Sequence, residues 1–146
     1  MADAILVMTR AQWRAMIAHL EAAYPEEGCG ILLGEQHSAL RVVRAVRPTP
    51  NAWEDAATRR SRFTIAPEDF VRAAHEAEQH GWDVLGFFHS HPDHPPVPSE
   101  TDRALAWPAT VIVIVSLRAG RAAETRAWML NDAGQIAAVP LDMREA

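Results

Sequence analysis

The sequence predicts a mixed α/β or α+β sandwich, a sheet packed against three helices. Three observations carry this reading. Apolar runs such as Val84–Phe88 and Val111–Leu117 have the length and composition of buried strands. Two longer stretches repeat their apolar residues at helical spacing, and a third opens with a helix-start signature at Ser99. No internal repeat, linker or low-complexity tract interrupts them.

Ala4–Met8 reads as a short strand. Thr9 then caps a helix whose apolar positions are Trp13, Met16, Ile17, Leu20 and Tyr24. Pro25 ends it, because proline disfavours helical geometry in the residue before it. Cys29–Leu33 and Leu40–Val46 read as paired strands joined by a turn around Gly34–Ser38. The stretch from Arg47 to Arg62 is the least regular and is expected to be a mobile loop. Phe63–Ile65 reads as a short strand entering a helix at Pro67, with Phe70, Val71, Ala74 and Ala77 on its apolar side and Gly81 past its end. The strand Val84–Phe88 runs into His89, and a proline-rich loop from Pro92 to Pro98 leads to a helix over Ser99–Trp107. Val111–Leu117, Glu124–Leu130 and Gln135–Val139 close the domain as strands, the last two joined by the turn Asn131-Asp132-Ala133-Gly134.

At 146 residues, the chain is expected to be one domain, 1–146, able to bury a core without staples. Nearly half its residues are hydrophobic, yet no run approaches the roughly 18 apolar residues of a membrane span. Met1-Ala2-Asp3 begins an acidic N-terminus that makes a poor signal peptide. A single cysteine cannot form an internal disulfide and fits a reducing cytoplasm, the expected location. The net charge of −5, without a basic stripe, argues against nucleic acid as the main partner. All the basic residues are arginine, so no side-chain amine can receive an isopeptide-linked modifier.

The chemistry concentrates in His89-Ser90-His91-Pro92, followed eleven residues after His91 by Asp102. Side chains at i and i+2 of a strand share a face, so His89 and His91 can reach one metal while Ser90 points away. With Asp102, in the first turn of a helix, they supply three ligands. Three protein ligands and an open fourth position distinguish a catalytic zinc site from a closed structural one. Zinc lowers the pKa of bound water to about 7. Such a site still lacks an acid outside the ligand set to move protons.

This pattern resembles the signature of the JAMM (MPN+) metalloprotease family: His-Ser-His, seven residues, Ser, two residues, Asp. His89, Ser90, His91, Ser99 and Asp102 fill it without a change of spacing. The segment Pro25–Gly34 resembles the upstream part of the family, with Glu27 seven residues before the closing glycine. The resemblance runs from about Ile5 to Leu141 and implies a curved mixed β-sheet flanked by helices, JAB/MPN-type, in a layout similar to cytidine deaminases. It implies one Zn2+ per chain on His89, His91 and Asp102, with Glu27 as general acid–base and Ser99 as oxyanion donor. The absence of histidine and cysteine after Asp102 leaves no second zinc site there. The compact length is similar to bacterial members that process small ubiquitin-like sulfur carriers, which implies hydrolysis after the carrier's C-terminal Gly-Gly.

Two other readings stand beside this one. A catalytically silent MPN scaffold would not need all five motif positions. A RadC-like JAB-fold protein shares His-x-His-Pro, but Ser90 stands where asparagine is expected. Zinc deaminases fail on ligands, since they need His-x-Glu and a later Cys pair. Secondary candidates are His94 as a solvated loop histidine and Cys29 as a small hydrophobe rather than a nucleophile. Trp53, with Arg59, Arg60 and Arg62, is expected to form a partner-holding loop surface. The remaining tryptophans (Trp13, Trp82, Trp107 and Trp128) read as core or edge residues.

Overall fold

A computed structural model describes residues 4–145; the reading of Met1–Asp3 as a poor signal peptide falls outside them. The elements run β1 (Ile5–Thr9), α1 (Arg10–Ala23), β2 (Cys29–His37), β3 (Leu40–Thr49), α2 (Pro67–His80), β4 (Asp83–Pro92), α3 (Glu100–Ala104), β5 (Val111–Arg118), β6 (Arg121–Leu130), β7 (Ile136–Val139) and β8 (Leu141–Arg144). All eight strands form one sheet in the order β7-β6-β5-β4-β2-β3-β1-β8. Pairing is parallel for β1–β3, β1–β8 and β4–β5 and antiparallel elsewhere, so the expected mixed sheet with flanking helices forms. Register shifts at Leu32–Gly34 and Ser116–Leu117 bend it, as bulges do.

The alternation of each central strand feeds two cores. Leu32, Phe88, Val111, Val113 and Val115 pack with Met16, Ile17 and Leu20 of α1. Ile31, Leu33 and Ala45 pack on the opposite face with Ala73 and Ala77 of α2. Phe88 thus faces α1, which turns its neighbours Phe87 and His89 toward the α2 side. Gly30 is required where the Phe88 ring crosses β2, since an added Cβ would lie 2.2 Å from that ring. Thr9 caps α1 in a reciprocal box with Gln12, as its position predicts.

Several expectations are corrected. Gly34 lies inside β2 at the bulge, and the turn is confined to Ser38-Ala39, with Ser38 at φ 56°. Phe63–Ile65 forms no strand. The packed side of α2 is Phe70, Ala73 and Ala77, so Phe70 and Ala77 lie where expected, whereas Val71 is 64% exposed and Ala73 is buried in place of Ala74. Helix α3 stops at Ala104 instead of reaching Trp107, and Trp107, read as core or edge, is 57% exposed with its ring edge-on to Phe70 and Phe87. Strand β8 had no counterpart in the sequence reading. No helix among the described residues is long and apolar enough to cross a membrane.

Candidate metal centre

The C-terminal end of β4 delivers His89 and His91 to one face, and the first turn of α3 delivers Asp102 to the same point. His89 Nε2 and His91 Nε2 are 3.2 Å apart, His91 Nε2 is 3.1 Å from Asp102 Oδ2, and His89 Nε2 is 3.2 Å from Asp102 Oδ1. Ligand atoms on a tetrahedral zinc with bonds of about 2.0–2.1 Å stand about 3.3–3.4 Å apart. Each contact is close to that spacing, with the two carboxylate oxygens each facing one imidazole. One ligand atom from each residue lies within 4.8 Å of the others, so this triangle of residues could hold a metal. Both imidazoles and the carboxylate are buried.

The orientation of each ligand has a local cause. A carbonyl can only accept, so His91 Nδ1 donates to Pro95 O at 2.8 Å, which leaves Nε2 as the ring nitrogen that faces the triangle. His89 Nδ1 is buried without a hydrogen-bond partner, and its ring is instead stacked on Phe63 at 4.6 Å between centroids. Asp102 Oδ2 accepts from Ser99 N at 2.9 Å while Ser99 Oγ accepts from Asp102 N at 3.1 Å, so the helix cap also aims the carboxylate. Ser90 points to the other face, where its Oγ accepts from Gly28 N at 2.9 Å.

That bond, together with Ser90 N donating to Gly28 O, extends the β2–β4 register beyond Cys29–His89 and brings Glu27 beside His91. The Glu27 main chain is clamped by the Arg47–Arg62 segment: its N–H donates to Arg59 O, and its carbonyl accepts from Asn51 Nδ2, both near 2.9 Å. Burial pushes the Glu27 carboxyl up to about 8, with the nearby Asp102 carboxylate adding to the rise and His91 and Arg62 opposing it. Burial also disfavours the ionised form of Asp102, but hydrogen bonds to His89 and His91 outweigh it and hold that carboxyl well below the usual range. Burial lowers the His89 imidazole, whereas in His91 the bonds to Asp102 and Pro95 O outweigh burial and raise it.

Two recesses meet at the triangle. One, of about 380 Å³, is a polar recess by its side chains and gathers Glu27, His91, Ser99, His94 and Arg62 beside the apolar Pro95 and Val97. The other, of about 420 Å³, is mainly apolar: His89 and Asp102 line it together with Phe63, Phe70, Leu105 and Trp107. His89, His91, Asp102, Glu27 and Ser99 are thus brought together. His94 is exposed on the rim of the polar recess, as expected. Cys29 is buried and bonded to Thr49, and burial pushes its thiol up to about 11, which suits a small hydrophobe. Trp53 is half-buried, and its indole N–H is engaged by Thr58 Oγ1 at 2.9 Å, so it lines neither recess.

Sequence reading missed Phe63 beneath His89, Asn51 behind Glu27 and Trp107 on the apolar recess. It also missed that Arg62 reaches α3, donating to Thr101 Oγ1 at 2.5 Å. Only Asn51 left a trace, as a turn-forming residue after Pro50.

The family model for prokaryotic homologs of the JAB domain matches residues 9–131. The chain is 43% identical over 93 residues to a desampylase of Haloferax volcanii, a match covering 63% of each chain, just under two thirds of that relative's length. It is 27% identical over 138 residues to a probable TtuB-protein conjugate cleaving protease of Thermus thermophilus, covering 94% of this chain and 84% of that one. The solution structure of a protein from Desulfitobacterium hafniense superposes with a TM-score of 0.84 at 28% identity, over 97% of this chain and 94% of that one.

Proposed function

Because this chain belongs to the prokaryotic JAB-domain family, we propose that it is a zinc-dependent peptidase or isopeptidase, one zinc per chain, acting on small ubiquitin-like carriers with a Gly-Gly tail. One observation carries the reading. Three metal-competent ligand atoms converge, while a buried carboxyl, Glu27, lines the same site without joining them.

A zinc ion on His89, His91 and Asp102 would polarise the substrate carbonyl and make a water nucleophilic near neutral pH. Glu27 takes a proton from the attacking water and delivers it to the leaving amine. A buried acid that stands beside the ligand set but outside it suits both halves of that transfer. Ser99, on the polar recess, donates its hydroxyl to the oxyanion that forms at the carbonyl. The Phe63 ring restrains His89, and the Pro95 carbonyl restrains His91, so the ligands keep their aim through turnover.

The apolar recess gives an extended tail somewhere to bury an aliphatic side chain, and glycines at the cut bond let the main chain approach the buried triangle. A relative named as a conjugate-cleaving protease supports the isopeptide side of the activity. The lone buried cysteine fits a reducing, cytoplasmic setting. A metal-free scaffold role would leave the triangle and Glu27 without a use.

The test is to load the protein with zinc and offer three substrates: a carrier ending in Gly-Gly plus one residue, the same carrier with both glycines changed to alanine, and a carrier–lysine conjugate. Mass spectrometry should find cleavage after the second glycine in the first and third and little in the second. Glu27→Gln should keep its zinc and lose about a hundred- to ten-thousand-fold in rate. Equal cutting of the alanine tail, or an active Glu27→Gln, would overturn the reading.

A further inference from the structure

The ring of His91 is set by one carbonyl, that of Pro95, and the loop carrying this carbonyl is itself held by side chains outside the ligand set. Three successive carbonyls are each taken by a different donor. His94 O accepts from Ser116 Oγ at 2.7 Å, Pro95 O from His91 Nδ1 at 2.8 Å, and Pro96 O from Trp128 Nε1 at 3.0 Å. We propose that Ser116 and Trp128 are positioning residues for the metal centre: by fixing the carbonyls on either side of Pro95, they hold its oxygen where it orients His91.

The topology places them for this. Ser116 on β5 pairs with His91 on β4, and Trp128 on β6 pairs with Ile112, two strand steps before Ile114, the partner of His89. Paired residues point to the same face, so all of these side chains lie on the ligand side of the sheet. Ser116 is buried.

The loop also cannot hold itself. Pro95, Pro96 and Pro98 lack N–H groups, so the local main-chain bonds left to it are Val97 N donating to Pro95 O and a long one, at 3.4 Å, from His94 N to His91 O. Their fixed φ angles make the segment stiff, and a shift at His94 O or Pro96 O is passed on to Pro95 O. The start of the loop is anchored separately: Asp93 donates from its N–H to Leu117 O and accepts from Ala119 N and Tyr24 Oη. Ser116 and Trp128 complete the restraint on the side nearest His91.

The proposal rests on the metal reading above, and the experiment separates the two. Zinc affinity is measured by chelator competition for wild type, Ser116→Ala, Trp128→Phe and a matched control, Trp13→Phe. Trp13 Nε1 also donates a 3.0 Å bond, to Thr125 Oγ1 on β6, but its helix packs on the opposite face. Losing an outer partner of a metal ligand typically costs about 10–100-fold in affinity. Ser116→Ala and Trp128→Phe should each weaken zinc by about tenfold or more and shift the visible absorption of the cobalt(II)-substituted protein. The double variant should lose less than the product of the two, since both act through one loop. Trp13→Phe should change neither property. If Trp128→Phe, which keeps a ring in place and does not depend on Ser116→Ala folding, held zinc as tightly as Trp13→Phe with an unshifted cobalt spectrum, the proposal would be overturned. Wild type that takes up no zinc would overturn the ligand assignment and this proposal with it.

Discussion

Glu27 is a carboxyl buried close to a second, firmly ionised carboxylate, and its proton is held accordingly. In the metal-free protein, with no substrate present, this alone makes stability depend on pH. Below pH 4.5, Glu27 is protonated whether the chain is folded or not, and Glu27→Gln should be close to neutral. As pH rises from there through about 8, the unfolded chain ionises first and the native chain binds the extra proton. Wild-type stability therefore falls relative to the glutamine variant across that window. At pH 9 the variant should be the more stable by a few kcal/mol, since each tenfold gain in proton affinity on folding corresponds to about 1.4 kcal/mol. Denaturant titrations of both proteins at pH 4.5, 7 and 9 read this directly, and a difference that does not change with pH would show that Glu27 is not held as a buried acid. At this scale the sequence was informative wherever chemistry follows local spacing. His89, His91, Ser99 and Asp102 sit within fourteen positions of one another and declare themselves. Phe63 and Asn51 do not, because their roles arise only when the Pro50–Ala66 connection folds back over β4 and Glu27.

Helix α3 is barely more than one turn long, and its start serves two ends. Ser99 and Asp102 cap each other across that turn, and the same Asp102 carboxylate completes the candidate metal site with the two histidines. Substitutions at Ser99 can separate capping from chemistry. Ser99→Ala removes both the cap and the proposed oxyanion donor; Ser99→Asp can still cap but brings negative charge toward the oxyanion. The alanine variant should lose about 1 kcal/mol of stability and about a hundredfold or more in turnover. The aspartate variant should recover stability and remain slow. Melting curves and single-substrate kinetics on the same preparations decide it: an alanine variant that melts lower yet turns over normally leaves only the cap. The shortness of α3 was not legible, because a capping box marks where a helix starts and nothing in Arg103–Trp107 marks its end as clearly. The stripe of α2 departs from the sequence reading at Val71 and Ala74 for a related reason. Phe70 and Val71 are adjacent, and only packing against Ile31 and Leu33 selects Ala73 and Ala77 as the inward line. Strand β8 has four residues and pairs in parallel with β1, at the far end of the sequence, so no local pattern announces it.

Across the whole molecule, the fold class followed from alternating apolar runs, whereas the strand order β7-β6-β5-β4-β2-β3-β1-β8 depends on pairings between distant segments that periodicity does not encode. That order matters for function. It puts β4 at the centre, between β2 and β5, so the end bearing His89 and His91 is flanked by the strand that follows Glu27 and the strand that carries Ser116. Helix α3 lies off the sheet and, among the described residues, is tied by the pairs from Asp102 to the two histidines of β4 and by the bond from Arg62 of the Pro50–Ala66 connection to Thr101. A metal on the triangle would cross-link α3 to β4 and stabilise the native state alone, because the unfolded chain keeps no such arrangement. Ligand at about a thousand times its dissociation constant adds about 4 kcal/mol. For a chain of this size, each kcal/mol moves the melting temperature by about 3–4 °C. Chelation of the zinc-loaded protein should therefore lower its melting temperature by roughly 10–15 °C, and readdition of zinc should restore it. Asp102→Ala should melt at the same temperature with or without chelator, because the cross-link cannot form. His94→Ala, altering an exposed ring on the rim of the polar recess, should keep the full response. A zinc-loaded wild type indifferent to chelator would mean that α3 is held without a metal, and that the convergence of these three residues is an ion-pair cluster rather than a metal centre.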